Sequence, residues 1–137
     1  MKVLIVIFSV SIASAVTDLT PEQKEMIQPY KDACFAELKI DQATIDTAQK
    51  QYFEEGKTEF GEEISCFSAC MFKQLGFMTE EGKFDEDMVR ALTADQFSES
   101  VLDKAINTCK NEVGKNDCET AGKLFSCFLK QGIAVNA

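Results

Sequence analysis

Apolar positions along the chain fall into helical rather than alternating spacing, and the block from Glu62 to Gly76 organises the others. From Cys66 to Phe72 only Ser68 is polar, and a helix that is apolar nearly all round is a buried one. This segment is therefore read as the central helix. Cys66 and Cys70 are four residues apart, about 40° around a helix, so both thiols project from one edge. Phe67, Met71 and Leu75 run beside them as a second stripe. A helix that tethers neighbours through one edge and offers a flexible apolar stripe on the next is suited to be the wall of a ligand cavity.

Five further helical segments surround it. Thr20-Pro21-Glu22-Gln23 is a strong start, with Thr20 as N-cap, Pro21 at the first helical position and Gln23 closing a capping box. That helix runs to Leu38, and Pro29 inside it predicts a kink or a split. Asp41 caps a shorter helix reaching about Lys50, with Ile45 as its main apolar contact. Gln51 to Gly61 reads as a loop whose aromatics fold back onto the body. Gly76 closes the central helix, and a turn over Thr79 to Gly82 follows. Asp85 caps a short helix with Met88, Ala91 and Leu92 inward, and another begins near Ser98 with Val101, Leu102, Ala105, Ile106 and Cys109 at helical spacing. Asp117 caps the last, whose apolar face is Ala121, Leu124, Phe125 and Phe128. No convincing strand run, repeat or linker interrupts the pattern, so the expectation is one all-α domain.

The N-terminus has its own signature. Lys2, the apolar run Val3 to Phe8 and the ending Ala13-Ser14-Ala15 describe a secretory signal peptide cleaved after Ala15, leaving residues 16–137 as the mature domain. The apolar part is too short to span a bilayer, and no second run approaches the roughly 20 residues a membrane helix needs. The formal charge is −9, and cleavage would remove the cation Lys2. Such acidity fits solubility and disfavours nucleic acid or an anionic membrane surface, which attract basic patches.

All six cysteines lie beyond residue 15. An even count in a small secreted domain implies three disulfides, with about fifteen possible pairings that sequence alone does not choose between. Zinc is disfavoured by the oxidising compartment and by the absence of His, so no metal and no cofactor is expected. The spacing is Cys34-x31-Cys66-x3-Cys70-x38-Cys109-x8-Cys118-x8-Cys127. As a set of intervals over the whole mature chain, together with the Gly82-Lys83-Phe84-Asp85 turn, it resembles the insect odorant-binding proteins of the pheromone-binding and general-odorant-binding type.

That resemblance implies the pairs Cys34–Cys70, Cys66–Cys118 and Cys109–Cys127, in a compact six-helix domain with three disulfides around an internal hydrophobic cavity. The helix geometry is compatible, since the central helix reaches two partners from one edge. The staples also have an energetic rationale. A pocket at the small end of ligand sites, ~300 Å³, destabilises an empty domain by roughly 7 kcal/mol, comparable to a whole net stability of ~5–15 kcal/mol. Each closed loop offsets roughly 3–4 kcal/mol in the chain-entropy model.

Candidate pocket residues are Phe67, Met71 and Leu75 on the central helix, Phe77 after it, and Met88 and Leu92 on the short helix. Leu102 and Ile106 on the fifth, Phe125 and Phe128 on the last, and Ile133 and Val135 on the tail complete the apolar set. Met and Phe suit promiscuous recognition because thioether chains adapt and rings supply area at little entropic cost. Tyr30 and Tyr52 are polar handles for an alcohol, aldehyde or acid head group. Arg90, the lone arginine, lies about 200° around its helix from Met88 and is expected to face water. The tail from Gly132 to Ala137 is either a lid, as in some members of the family, or a frayed terminus. Without His, a histidine-driven release at acidic pH has no carrier, and any pH response falls to carboxylates.

The expected function is a secreted, extracellular carrier that binds and solubilises small hydrophobic ligands such as odorants, pheromones or fatty-acid-like molecules, including long-chain acids, alcohols and aldehydes. The resemblance also admits a membrane chemoreceptor as partner and a monomer or weak homodimer as the assembly. An enzyme is disfavoured because the usual Ser-His and Cys-His chemistry lacks its base. The competing reading is a secreted solid-core interaction or structural domain with no small-molecule ligand.

Overall fold

The computed structural model describes residues 16–18 and 20–136, with side chains described over 20–133. The proposed signal peptide at 1–15 and the side chain of Val135 lie outside these. Strand β1 (Val16–Asp18) is followed by six helices: α1 (Pro21–Leu38), α2 (Gln42–Glu55), α3 (Glu62–Leu75), α4 (Glu86–Thr93), α5 (Glu99–Cys109) and α6 (Asp117–Lys130). Strand β2 (Ala134–Asn136) closes the sequence.

Local chemistry sets most boundaries. The Thr20 hydroxyl accepts from the Gln23 N–H at 3.2 Å and the Gln23 side chain accepts from the Thr20 N–H at 3.0 Å, the reciprocal capping box. Asp41, Asp85 and Ser98 cap α2, α4 and α5 through their side-chain oxygens. Four details differ from the sequence expectation. Helix α1 is not split at Pro29, which lies on its exposed face where water can satisfy the carbonyl that proline leaves unpaired. Helix α2 continues past Lys50 to Glu55, because the stop is Gly56, whose φ of +71° forms a left-handed C-cap that glycine adopts without steric cost. The cap of α6 is Asn116, which accepts from the Glu119 N–H at 2.9 Å, and Asp117 is the first helical residue. Finally, β1 and β2 pair in parallel, Val16 opposite Ala134 and Asp18 opposite Asn136. Three residues are too few for a readable period, so this ladder left no sequence signal.

Helix α3 is the hub. It packs most extensively on α6 and then on α1, while α5 packs on the far side of α6. The α3–α6 approach is so close that a Cβ on Gly122 would lie 2.3 Å from the Ser65 hydroxyl. The disulfides are Cys34–Cys70, Cys66–Cys118 and Cys109–Cys127, the three pairs implied by the resemblance. They join α1 to α3, α3 to α6, and α5 to α6. One core cluster (Ala69, Met78, Ala121 and Leu124) fills the α3–α6 seam, and a second (Val89, Phe97, Leu102 and Ile106) fills the space under α4 and α5. Phe84 and Phe128, ring centroids 6.0 Å apart, belong to the walls of both. Among the described residues no helix is long and apolar enough to cross a membrane.

Candidate functional site

Helix α2 carries no cysteine and has no extensive packing partner. The space it leaves against the stapled α3–α6 pair is a cavity of about 180 Å³. Three helical faces line it at the spacing of one stripe per helix. Helix α2 contributes Ile45, Ala48, Gln49, Tyr52 and Phe53; α3 contributes Ile64, Phe67, Ser68, Met71 and Phe72; α6 contributes Phe125 and Leu129; and Phe60 comes from the loop between α2 and α3. The i, i+3, i+4, i+7, i+8 pattern on α2 and α3 is what a helix needs to present one face continuously.

No charged residue lines the cavity. Its polar groups are the Tyr52 phenol, the Gln49 amide and the Ser68 hydroxyl, and the last donates to the Ile64 carbonyl at 2.9 Å within its own helix. Six of the thirteen lining residues are aromatic, and neighbouring rings brace them. Phe35 of α1 stacks on Phe67 at 5.4 Å, Phe77 leans on Phe72 at 6.0 Å, and Phe60 meets Phe125 at 6.2 Å. Such a surface is suited to a hydrophobic guest through burial and ring contact, with little to fix a charge. A larger groove of about 560 Å³ adjoins it, shares Phe60, and is edged by charged side chains. Among the described residues no cluster of three or more His, Cys, Asp or Glu side chains is placed to hold a metal ion.

Of the residues named from sequence, Tyr52, Phe67, Met71 and Phe125 come together on this cavity. Leu102 and Ile106 are buried in the second core cluster, with Phe77, Phe128 and Ile133 packed against it. Leu75 is half-buried away from the cavity lining and Tyr30 is exposed; Met88, Ala91 and Leu92, expected to point inward, stand on the exposed side of α4, because Val89 is the residue that α4 turns into the second core. Arg90 bonds Asp103 of α5 and lies 3.9 Å from Glu86, and the hydrogen bond to Asp103 holds its guanidinium even more firmly charged. On α1, Lys31 is buried, and burial lowers its ammonium pKa against the opposing pull of Asp46 and Asp32. The lining residues absent from the sequence set are Phe60, Ile64, Ser68, Phe72 and Leu129, and on α2 Ile45, Ala48, Gln49 and Phe53. The signal for the α2 group was the stripe Ile45, Ala48, Gln49 and Phe53 running beside Tyr52, but ending the helix at Lys50 cuts that stripe in two.

Comparison with known proteins gives a consistent set of relatives. Residues 16–131 match the PBP/GOBP family. General odorant-binding protein 56a of Drosophila melanogaster is 27% identical over 111 residues, covering 81% of this chain and 76% of that protein. Odorant-binding protein 22 of Aedes aegypti is 26% identical over 136 residues, covering 98% of this chain and 94% of its own. Among solved structures, the fatty acid binding protein OBP56a from the oral disk of the blowfly Phormia regina superposes with a TM-score of 0.66. It is 26% identical and covers 82% of this chain and 94% of that one.

Proposed function

This chain belongs to the PBP/GOBP family, and we propose that it is a carrier that binds and solubilises a small hydrophobic molecule between α2, α3 and α6. One observation carries the assignment to this cavity. In a chain of net charge −9, the space enclosed by three helices has no charged residue on its wall and six aromatic ones. Desolvating an apolar guest there is favourable by roughly 25 cal/mol per Å² of buried apolar surface, and no group is placed for chemistry on the guest. The chain acts without catalysis, as an extracellular protein released after removal of residues 1–15. Its guests are long-chain acids, alcohols, aldehydes or similar amphiphiles. The blowfly neighbour, named for fatty acid binding, supports that range. Docking to a membrane chemoreceptor is a further step of the same transport role, for a monomer or weak homodimer.

Native mass spectrometry of the secreted protein, purified without lipid stripping, tests this reading. It is followed by displacement of a fluorescent naphthylamine probe from the delipidated protein. A co-purifying amphiphile or a displaceable probe is the expected result. A bare mass with no uptake of probe, acid, alcohol or aldehyde would instead identify a solid-core interaction domain.

A further inference from the structure

The cavity is small for the guests a carrier of this kind would hold. Ligand sites usually span about 300–1,000 Å³, whereas a cavity of about 150 Å³ accommodates benzene. At about 180 Å³ the space as it stands seats six or seven carbons on that scale, roughly half of a twelve-carbon chain. The missing volume lies next door, in the groove of about 560 Å³, and Phe60 lines both.

Phe60 is held lightly. Its loop runs between Gly56, at φ +71°, and Gly61, and neither has a neighbour within 4 Å of its Cβ position. The ring leans on Phe125 at 6.2 Å and lies 5.3 Å from the Lys57 ammonium. Beyond the hydrogen bonds from Lys57 back to Gln51 at its start, the loop is tied by a 3.6 Å ion pair from Glu59 to Lys130, both mostly exposed, a contact that water and salt weaken.

The groove also selects a head group. Glu59, Glu112 and Glu119 line it against Lys123 and Lys130, and both lysines are engaged, Lys123 with Glu119 at 3.5 Å and Lys130 with Glu59. A carboxylate entering there meets three glutamates against two lysines, a net acidic wall. Ser126, on the same wall, has a buried hydroxyl with no hydrogen-bond partner, a state that native proteins seldom leave uncompensated.

Building on the carrier reading, we propose that Phe60 is a swinging partition and that, with the ring displaced, cavity and groove form one site for a long-chain alcohol. The aliphatic tail lies between α2, α3 and α6, and the alcohol hydroxyl supplies the partner that Ser126 lacks. With the ring in place, the same cavity takes guests near benzene in size.

Stopped-flow binding of dodecan-1-ol, dodecane, dodecanoate and benzyl alcohol to delipidated wild type, Phe60→Ala, Phe60→Trp and Ser126→Ala tests this. Phe60→Ala should raise the dodecan-1-ol association rate at least tenfold more than that of benzyl alcohol, and Phe60→Trp should lower the ratio of the two rates. Ser126→Ala should reduce the affinity ratio of dodecan-1-ol over dodecane about five- to tenfold, the loss of one hydrogen bond. Chain-length-independent effects of both Phe60 variants, an unchanged ratio in Ser126→Ala, or dodecanoate binding tighter than dodecan-1-ol would each overturn the proposal while leaving the carrier reading intact. Failure of the wild type to take up any of the four would overturn both.

Discussion

Filling the cavity should make the protein more stable and less functional at once. An unoccupied space of about 180 Å³ destabilises the fold by at most about 4 kcal/mol, the value at ~24 cal/mol per Å³ for a fully closed cavity. Ala48 is half-buried on the inner stripe of α2, one turn from both Ile45 and Tyr52. Ala48→Leu adds three carbons at about 0.8 kcal/mol each when fully buried. Partial exposure at this site and a slightly lower helix propensity reduce that to a net gain of about 1–2 kcal/mol. Urea denaturation of the delipidated proteins should show a higher midpoint at unchanged slope. The ligand response should move the other way. Wild type with ligand at one hundred times its Kd gains about 2.7 kcal/mol, and Ala48→Leu should gain little, because the added side chain occupies the guest's volume. A variant that is less stable than wild type yet keeps full probe binding and full ligand stabilisation would refute the placement of the site.

Three further outcomes follow from the frame around the cavity. Replacing Cys109 and Cys127 by Ser removes a cross-link of sequence separation 18 and should lower stability by about 3 kcal/mol, against about 4 kcal/mol for the Cys66–Cys118 pair at separation 52; urea midpoints in the reverse order would contradict the loop-entropy account. Gly82→Ala places a Cβ 2.1 Å from Asp117 Oδ1 at a φ of +81° and should destabilise by about 1–3 kcal/mol, with Asp117→Ala in the same chain restoring only the steric part. Lys73 donates to Asp117 at 2.5 Å, and that hydrogen bond raises its ammonium pKa above 10.5. Its stabilisation is therefore complete below pH 10.5 and fades as pH climbs through the folded-state value, so Lys73→Met should lose less stability than wild type in that alkaline range, and parallel curves would exclude the coupling.

The helical frame was legible because its determinants are local. The Thr20–Gln23 capping box, Gly76 after α3 and the period of Val101, Leu102, Ala105 and Ile106 each specify an element without reference to distant residues. The cavity was legible only in part, because its position depends on how far helices stand apart. Phe67, Met71 and Phe125 sit on apolar stripes, and stripes alone do not separate a packed seam from a vacant one. Leu102 and Ile106 show the same periodicity and lie in solid core. What distinguishes the two sides is that α5, which carries Leu102 and Ile106, is cross-linked to α6 through Cys109–Cys127, whereas α2 has neither a staple nor a broad packing partner. Ending the helix at about Lys50 rather than at Gly56 hides that difference, because it places Tyr52 and Phe53 in a loop. Arg90 shows the limit of angular reasoning from the other direction. Pointing away from Met88, it meets Asp103 of α5 rather than water alone.

The absence of any cysteine from α2 separates two kinds of evolutionary change. Substitutions on α1, α3, α5 and α6 act on a scaffold whose cross-links and close approaches, such as Gly122 against Ser65, tolerate little. Substitutions at Ala48, Gln49, Tyr52 or Phe53 reshape one wall of the cavity while the cross-linked remainder keeps the fold. A lineage can thus drift from one guest to another through a single short helix, and a laboratory library confined to those four positions would retrace that route with few unfolded members.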